Sequence, residues 1–157
     1  MPSPSLTALA AAVLRLHERP ERVLEIGCGE GEGVLFLARE FPSARVRGVD
    51  PSEEAIRTVV ARTGLDPEGR VAFKAASRRR LPYPDGFFDL AAQRGGRLRP
   101  DEIARVLRPG GRLILVGEWR LLDWRLRGRG FDSLEPGEAA GECFLLARLA
   151  PDAPAPE

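Results

Sequence analysis

An apolar run that halts on alternating glycines constrains this chain more than any other feature. Arg22-Val23-Leu24-Glu25-Ile26 leads straight into Gly27-Cys28-Gly29-Glu30-Gly31-Glu32-Gly33, after which Val34, Leu35, Leu37, Ala38 and Phe41 recur at helical spacing. The pattern predicts a short buried strand, a tight turn and an amphipathic helix. Glycine in the turn lets a ligand approach the backbone closely. The helix behind it offers unbonded N–H groups and a positive dipole end, suited to a carboxylate or phosphate. A bare turn needs one or two glycines; four alternating ones ahead of a helix point to a bound ligand.

The remaining elements follow from periodicity. Leu6, Leu9, Val13 and Leu16 predict a helix over 5–18, ended by Pro20. Val46–Val49 reads as a second strand. Pro51-Ser52-Glu53-Glu54 starts a helix whose buried face is Ala55, Ile56, Val59 and Val60 and which stops at Gly64. Val71–Ala75 and Phe87–Ala92 read as strands. A short helix from Pro100 carries Ile103, Val106 and Leu107 and is broken by Pro109-Gly110-Gly111. Leu113–Val116 reads as a central strand, and 119–127 as a helix with Trp119, Leu122 and Leu126 on one side. Phe131–Leu134 and Glu142–Leu149 are two more strands, joined by a Pro-Gly stretch and therefore antiparallel.

Strands alternating with helices predict an α/β fold with a doubly wound, mostly parallel, seven-stranded sheet and an antiparallel C-terminal strand. Such sheets bind ligands outside the carboxyl ends of their strands. Residues 1–150 read as one domain and 151–157, rich in Pro and Ala, as a disordered tail.

Composition narrows the chemistry. The chain has 157 residues and a formal net charge of +1, against a general binder of nucleic acid or membranes, although a local basic patch is compatible with it. Lys74 is the only lysine, so the many arginines reflect a bias of the whole sequence. Two cysteines, Cys28 and Cys143, do not make a disulfide scaffold, and a single histidine, His17, leaves no Ser–His triad or His-based metal site. The apolar run Leu6–Leu14 lacks a preceding basic segment and is too short to cross a bilayer. A cytoplasmic protein is the expectation.

The glycine loop resembles the first motif of class I S-adenosylmethionine-dependent methyltransferases. Three further segments resemble that family in the right order: Gly48-Val49-Asp50-Pro51-Ser52, Leu81-Pro82-Tyr83-Pro84-Asp85-Gly86-Phe87-Phe88-Asp89-Leu90, and Ile103-Ala104-Arg105-Val106-Leu107-Arg108-Pro109-Gly110-Gly111. The resemblance implies a Rossmann-like methyltransferase fold and S-adenosylmethionine as cofactor. It implies that Gly27, Gly29 and Gly31, with Cys28 among them, line the methionine moiety, and that Glu25 reaches its amino end. Asp50 would accept bonds from both ribose hydroxyls, with Pro51 and Ser52 bordering the adenine. Ser77, Arg78 and Gln93 complete the candidate cofactor contacts. Cys28 reads as a small buried filler rather than a nucleophile.

The rival for such a loop is a nicotinamide-dependent oxidoreductase. A strict GxGxxG starting at Gly27 or Gly29 needs glycine where this chain has Glu32 or Val34.

The chain departs from the methyltransferase pattern in two places. Where the family often carries an acid after the third strand, this chain has Ser77-Arg78-Arg79-Arg80. Between the fourth strand and Pro100 there is only Gln93-Arg94-Gly95-Gly96-Arg97-Leu98-Arg99, so the substrate side should be open and shallow. No general base is apparent and no catalytic residue is nominated. Gln93 and Tyr83 face the acceptor or, equally, serve as a strand-end polar cap and a packed aromatic. Arg78, Arg79, Arg80, Arg94, Arg97 and Arg99 form either a basic rim for an acidic or phosphate-bearing acceptor, RNA included, or a solvated face. Two functions stay open: a methyltransferase of unidentified acceptor, and a catalytically degenerate cofactor-binding or partner-binding module. Either cofactor-binding reading needs a free hollow above the glycine loop, with Asp50 turned towards it.

Overall fold

The computed structural model describes residues 3–153 apart from 65 and 67. Helix α1 (Pro4–Val13) precedes β1 (Arg22–Ile26), α2 (Glu32–Glu40), β2 (Arg45–Asp50), α3 (Glu53–Thr63), β3 (Val71–Ala75) and β4 (Phe88–Arg94). Then come α4 (Pro100–Val106), β5 (Leu107–Val116), a 3₁₀ turn (Arg120–Leu122), α5 (Asp123–Arg127), β6 (Phe131–Ala139) and β7 (Glu142–Leu149). The seven strands form one sheet in the order β3-β2-β1-β4-β5-β7-β6. β1 pairs in parallel with β2 and β4, and β7 runs antiparallel to both β5 and β6.

Strand alternation sorts the core into two layers. Val23, Val46, Leu90, Ile114 and Phe144 point to the face covered by α1, α2 and α3. Leu24, Ile26, Val49, Leu113 and Leu145 point to the face covered by α4 and α5, where Trp119, Leu122 and Leu126 pack as the apolar stripe predicts. Each such side chain contributes roughly 1.5–3 kcal/mol when fully buried.

The boundaries differ from the sequence reading where local chemistry was misjudged. α1 ends at Val13, well before Pro20, because Leu14 is exposed and Arg15 and Leu16 donate three residues back, to Ala12 and Val13. Helix and strand do not alternate throughout: β3 passes to β4 by a helix-free segment whose Leu81, Tyr83 and Phe87 cover the sheet in a helix's place. Pro109-Gly110-Gly111 lies inside β5 rather than before it. Leu107 has already turned extended and pairs with Phe88, and the register shifts before Leu90 pairs with Arg112. The predicted helix over 119–127 is a 3₁₀ turn followed by a five-residue α-helix.

Pro136-Gly137 is likewise part of β6, with Gly137 giving room to the Phe144 ring. The hairpin turns instead on Ala140 and Gly141, both with positive φ (53° and 77°), as a two-residue primed turn requires. Of the tail expected at 151–157, Ala153 packs against the second core layer, and 154–157 lie outside the described residues.

Candidate functional site

The parallel strands β1, β2 and β4 end side by side, and the sheet order reverses direction of winding between β1 and β4. This switch point is where a doubly wound sheet leaves a crevice. The glycine loop lies directly over it. Gly27 and Cys28 both donate to the carbonyl of Val49, at 2.8 and 2.9 Å, which pins the loop to the end of β2. Gly31 caps α2 without a side-chain hydrogen bond, and its α-carbon faces Val59 and Phe73 rather than open space. The surroundings of Gly29 are open.

Asp50 faces the loop. One carboxylate oxygen accepts from the Gly29 N–H at 3.0 Å and the other from the Ser52 N–H at 3.0 Å. Each oxygen retains acceptor capacity for a further donor. Pro51 is exposed beside it, and Ser52 caps α3 by accepting from the Ala55 N–H at 3.1 Å.

Glu25 is the unusual member. Alternation along β1 puts it on the face of Val23, beneath α2, where it is completely buried. Gly33 makes this possible: a Cβ there would collide with the Glu25 carboxylate. Arg94, at the end of β4, donates to Glu25 Oε2 at 3.2 Å and also reaches Ser5 Oγ in α1 at 3.3 Å. Oε1 of Glu25 is buried with no hydrogen-bond partner. Burial pushes the carboxyl up to about 7, with a smaller push from Glu32, and Arg94 works in the opposite direction. Burial, followed by the charges of Glu25 and Asp50, raises the Cys28 thiol to about 12, so it is a neutral filler at physiological pH.

The hollow above Gly27 is not free. The guanidinium of Arg78 lies in it, where a Cβ on Gly27 would run into Nη2 and one on Gly96 would sit 2.8 Å from the same atom. The obstruction is the far end of a flexible side chain and not backbone. Ser77 is exposed, and its hydroxyl accepts from the Arg79 N–H at 3.1 Å, closing its own turn. Gln93 is buried and donates to the carbonyls of Gly95 and Arg97, both at 3.1 Å, so it props the short loop after β4. Tyr83 stacks on Phe87 and meets Phe88 edge-on, as a packed aromatic.

Beside the crevice, at the ends of β4 and β5, lies a cleft of about 190 Å³ whose lining includes Gln93, Gly96, Leu98, Glu118, Trp119 and Leu122. The Glu118 carboxylate is exposed there. The sequence reading passed over Glu118 and the role of Gly33, and it placed Arg94 on a basic rim or solvated face, whereas Arg94 turns inward to Glu25. An acid inside an apolar strand was the available signal that a cation and a gap had to lie nearby. Arg99 has its pKa lowered, first by desolvation and then by the positive charges of Arg97, Arg79 and Arg125, while Asp101 works in the opposite direction. Among the described residues no cluster of His, Cys, Asp and Glu fits a metal ion, and no helix is long and apolar enough to cross a membrane.

Residues 23–111 match the family described as "Methyltransferase domain", which covers β1 to the middle of β5 and so contains the whole crevice. The chain belongs to the class I S-adenosylmethionine-dependent methyltransferase family. S-adenosylmethionine is the cofactor of that family.

Among family relatives, the chain is 39% identical over 118 residues to a 27-O-demethylrifamycin SV methyltransferase of Amycolatopsis mediterranei, covering 70% of this chain and 43% of the relative. It is 35% identical over 114 residues to a demethylmenaquinone methyltransferase of Thermus thermophilus, covering 68% and 51%. The chain thus spans about half the length, or less, of the curated relatives it matches. A solved S-adenosylmethionine-dependent methyltransferase from Aquifex aeolicus superposes with a TM-score of 0.75 at 20% identity, covering 96% of this chain and 94% of that one, which establishes the shared methyltransferase fold.

Proposed function

We infer that this chain binds S-adenosylmethionine in the crevice between β1, β2 and β4 and transfers its methyl group to an acceptor in the neighbouring cleft. The observation that carries this is the unanswered Oε1 of Glu25, a fully buried acceptor at the end of β1. An unsatisfied buried polar group costs about 1–3 kcal/mol, and the ammonium of an amino-acid tail would relieve it. Asp50 holds the other end, taking ribose hydroxyls on the acceptor capacity that Gly29 and Ser52 leave free. Pro51, Ser52 and Ser77 border the base.

The sulfonium supplies an activated methyl group, and the chain's own work is positioning. The props from Gln93 fix the 95–97 backbone beside the cleft, and Trp119 and Leu122 present an apolar wall to the acceptor. Glu118 is the carboxylate placed to accept a proton from an acceptor hydroxyl or amine. The positive charges of Arg79, Arg97 and Arg125 felt at Arg99 favour an acidic or phosphate-bearing acceptor.

A second reading has its own support. Arg78 fills the hollow and Arg94 already answers half of Glu25, as in a module that has lost its cofactor and serves a partner. Calorimetric titration with S-adenosylmethionine and S-adenosylhomocysteine separates the two. Binding by the parent chain, lost on Asp50→Ala, is the expected result. Absence of binding by the parent decides for the degenerate module.

A further inference from the structure

The glycine loop faces a side chain that the methyltransferase pattern does not require. Arg78 follows β3, yet its guanidinium reaches across the crevice to lie between Gly27, at the end of β1, and Gly96, beyond the end of β4. Its Nε is buried without an acceptor. Of the crevice acids, Glu25 is engaged by Arg94, and Asp50 is held by backbone amides. Arg78 is only half-buried, but its Nε is cut off from water with no acceptor, which is unfavourable unless an anion meets it.

We propose that Arg78 is the anchor for the α-carboxylate of the cofactor's amino-acid tail. Two groups of opposite sign stand unanswered in the crevice: the Oε1 of Glu25 and the Nε of Arg78. A zwitterion answers both, with its ammonium on the glutamate and its carboxylate on the arginine. The planar fork of a guanidinium suits two-point capture of a carboxylate. In the free protein the arm rests on Gly27, in space the tail will occupy. Rotation about its own side-chain bonds moves it aside and keeps it within reach of the carboxylate. Arg78 thereby selects ligands that carry the amino-acid end over bare nucleosides.

The inference rests on the cofactor reading above, and the test keeps the two apart. S-adenosylhomocysteine and 5′-methylthioadenosine, which shares the nucleoside but lacks the amino-acid end, are titrated by calorimetry into the full chain. The same titrations are run on Arg78→Ala, Arg78→Lys and Asp50→Ala, with a melting curve to show that each variant is folded. Arg78→Ala is expected to weaken S-adenosylhomocysteine by about tenfold or more, the scale of a charged hydrogen bond, and to leave 5′-methylthioadenosine unchanged. Arg78→Lys should recover part of the loss. An equal loss for both ligands, no loss, or tighter binding in Arg78→Ala overturns the anchor while the Asp50→Ala result still supports the site. Failure of the parent chain to bind either ligand overturns the cofactor reading and the anchor with it.

Discussion

Among the described residues two glutamates are buried, each beside an arginine, and they could hardly be treated more differently. Glu102, in α4, accepts from the Leu81 N–H at 2.9 Å and from Arg105 Nε at 3.0 Å. Arg105 is itself fixed by the carbonyls of Leu81 and Tyr83 and by Asp85, each at 2.9 Å. That network fastens the helix-free crossing between β3 and β4 onto α4, in place of a packed helix. Glu25 has one arginine contact, a glycine cut away to admit it, and an oxygen facing nothing. A buried charge whose partners are complete belongs to the scaffold. On the function proposed above, one left incomplete, at the end of a strand and under a glycine loop, is held for something that arrives.

The comparison breaks most readily at Glu102. Glu102→Ala strips the half-buried Arg105 guanidinium of its main partner and leaves the Leu81 N–H unanswered, and should cost about 3 kcal/mol. That lowers the melting temperature by roughly 6–12 °C for a chain of this size. A melting curve within a degree or two of the parent would show that the network does not carry the crossing. Gly33→Ala comes next. Its methyl group has to displace the Glu25 carboxylate, an overpacking expected to cost about 1–3 kcal/mol in urea unfolding and to weaken S-adenosylhomocysteine in calorimetry. Parent-like affinity in a stable Gly33→Ala protein would show that the seat of Glu25 is not part of the site.

Taken per pH unit, the smallest effect is electrostatic. The Glu25 carboxyl is raised by burial to about 7 in the folded chain, above its ordinary value of 4.5. Between those two values the folded state holds a proton that the unfolded state has released. Stability is therefore full below about 4.5 and declines as pH rises through about 7, with a slope of at most about 1.4 kcal/mol per pH unit from this one group. Glu25→Gln should flatten that decline in urea titrations at pH 5, 6, 7 and 8. Affinity for S-adenosylhomocysteine should move the opposite way in the parent, rising with pH through 7 as the carboxylate forms, and should be flat in Glu25→Gln over the same range. A parent whose affinity is indifferent to pH there would separate Glu25 from the ligand's ammonium.

Much of this architecture can be read from residue order because its determinants are local. Short apolar runs place β1, β2 and β5, glycine after Ile26 gives the loop, and an acid ending the second strand gives Asp50. What escaped depends on meetings that no window of sequence contains. Arg94 lies 69 positions from Glu25 and reaches it only because β1 and β4 are neighbours in register. Pro109-Gly110-Gly111 looks like a break but is absorbed by a shift in the pairing of β4 with β5. Ala140 looks like any strand residue, and only the pairing of Ala139 with Glu142 forces it into a left-handed turn. Arg78 was visible as a departure from the family, while its reach over Gly27 was not.

The contact from Arg94 to Ser5 makes the opening turn of α1 the third leg of a bracket whose other feet are Glu25 and β4. The first turn of α1 is thus no neutral ground. A change that disturbs Ser5 pulls on the same arginine that steadies the crevice floor, and its effects would surface as altered ligand affinity at a distance from the alteration.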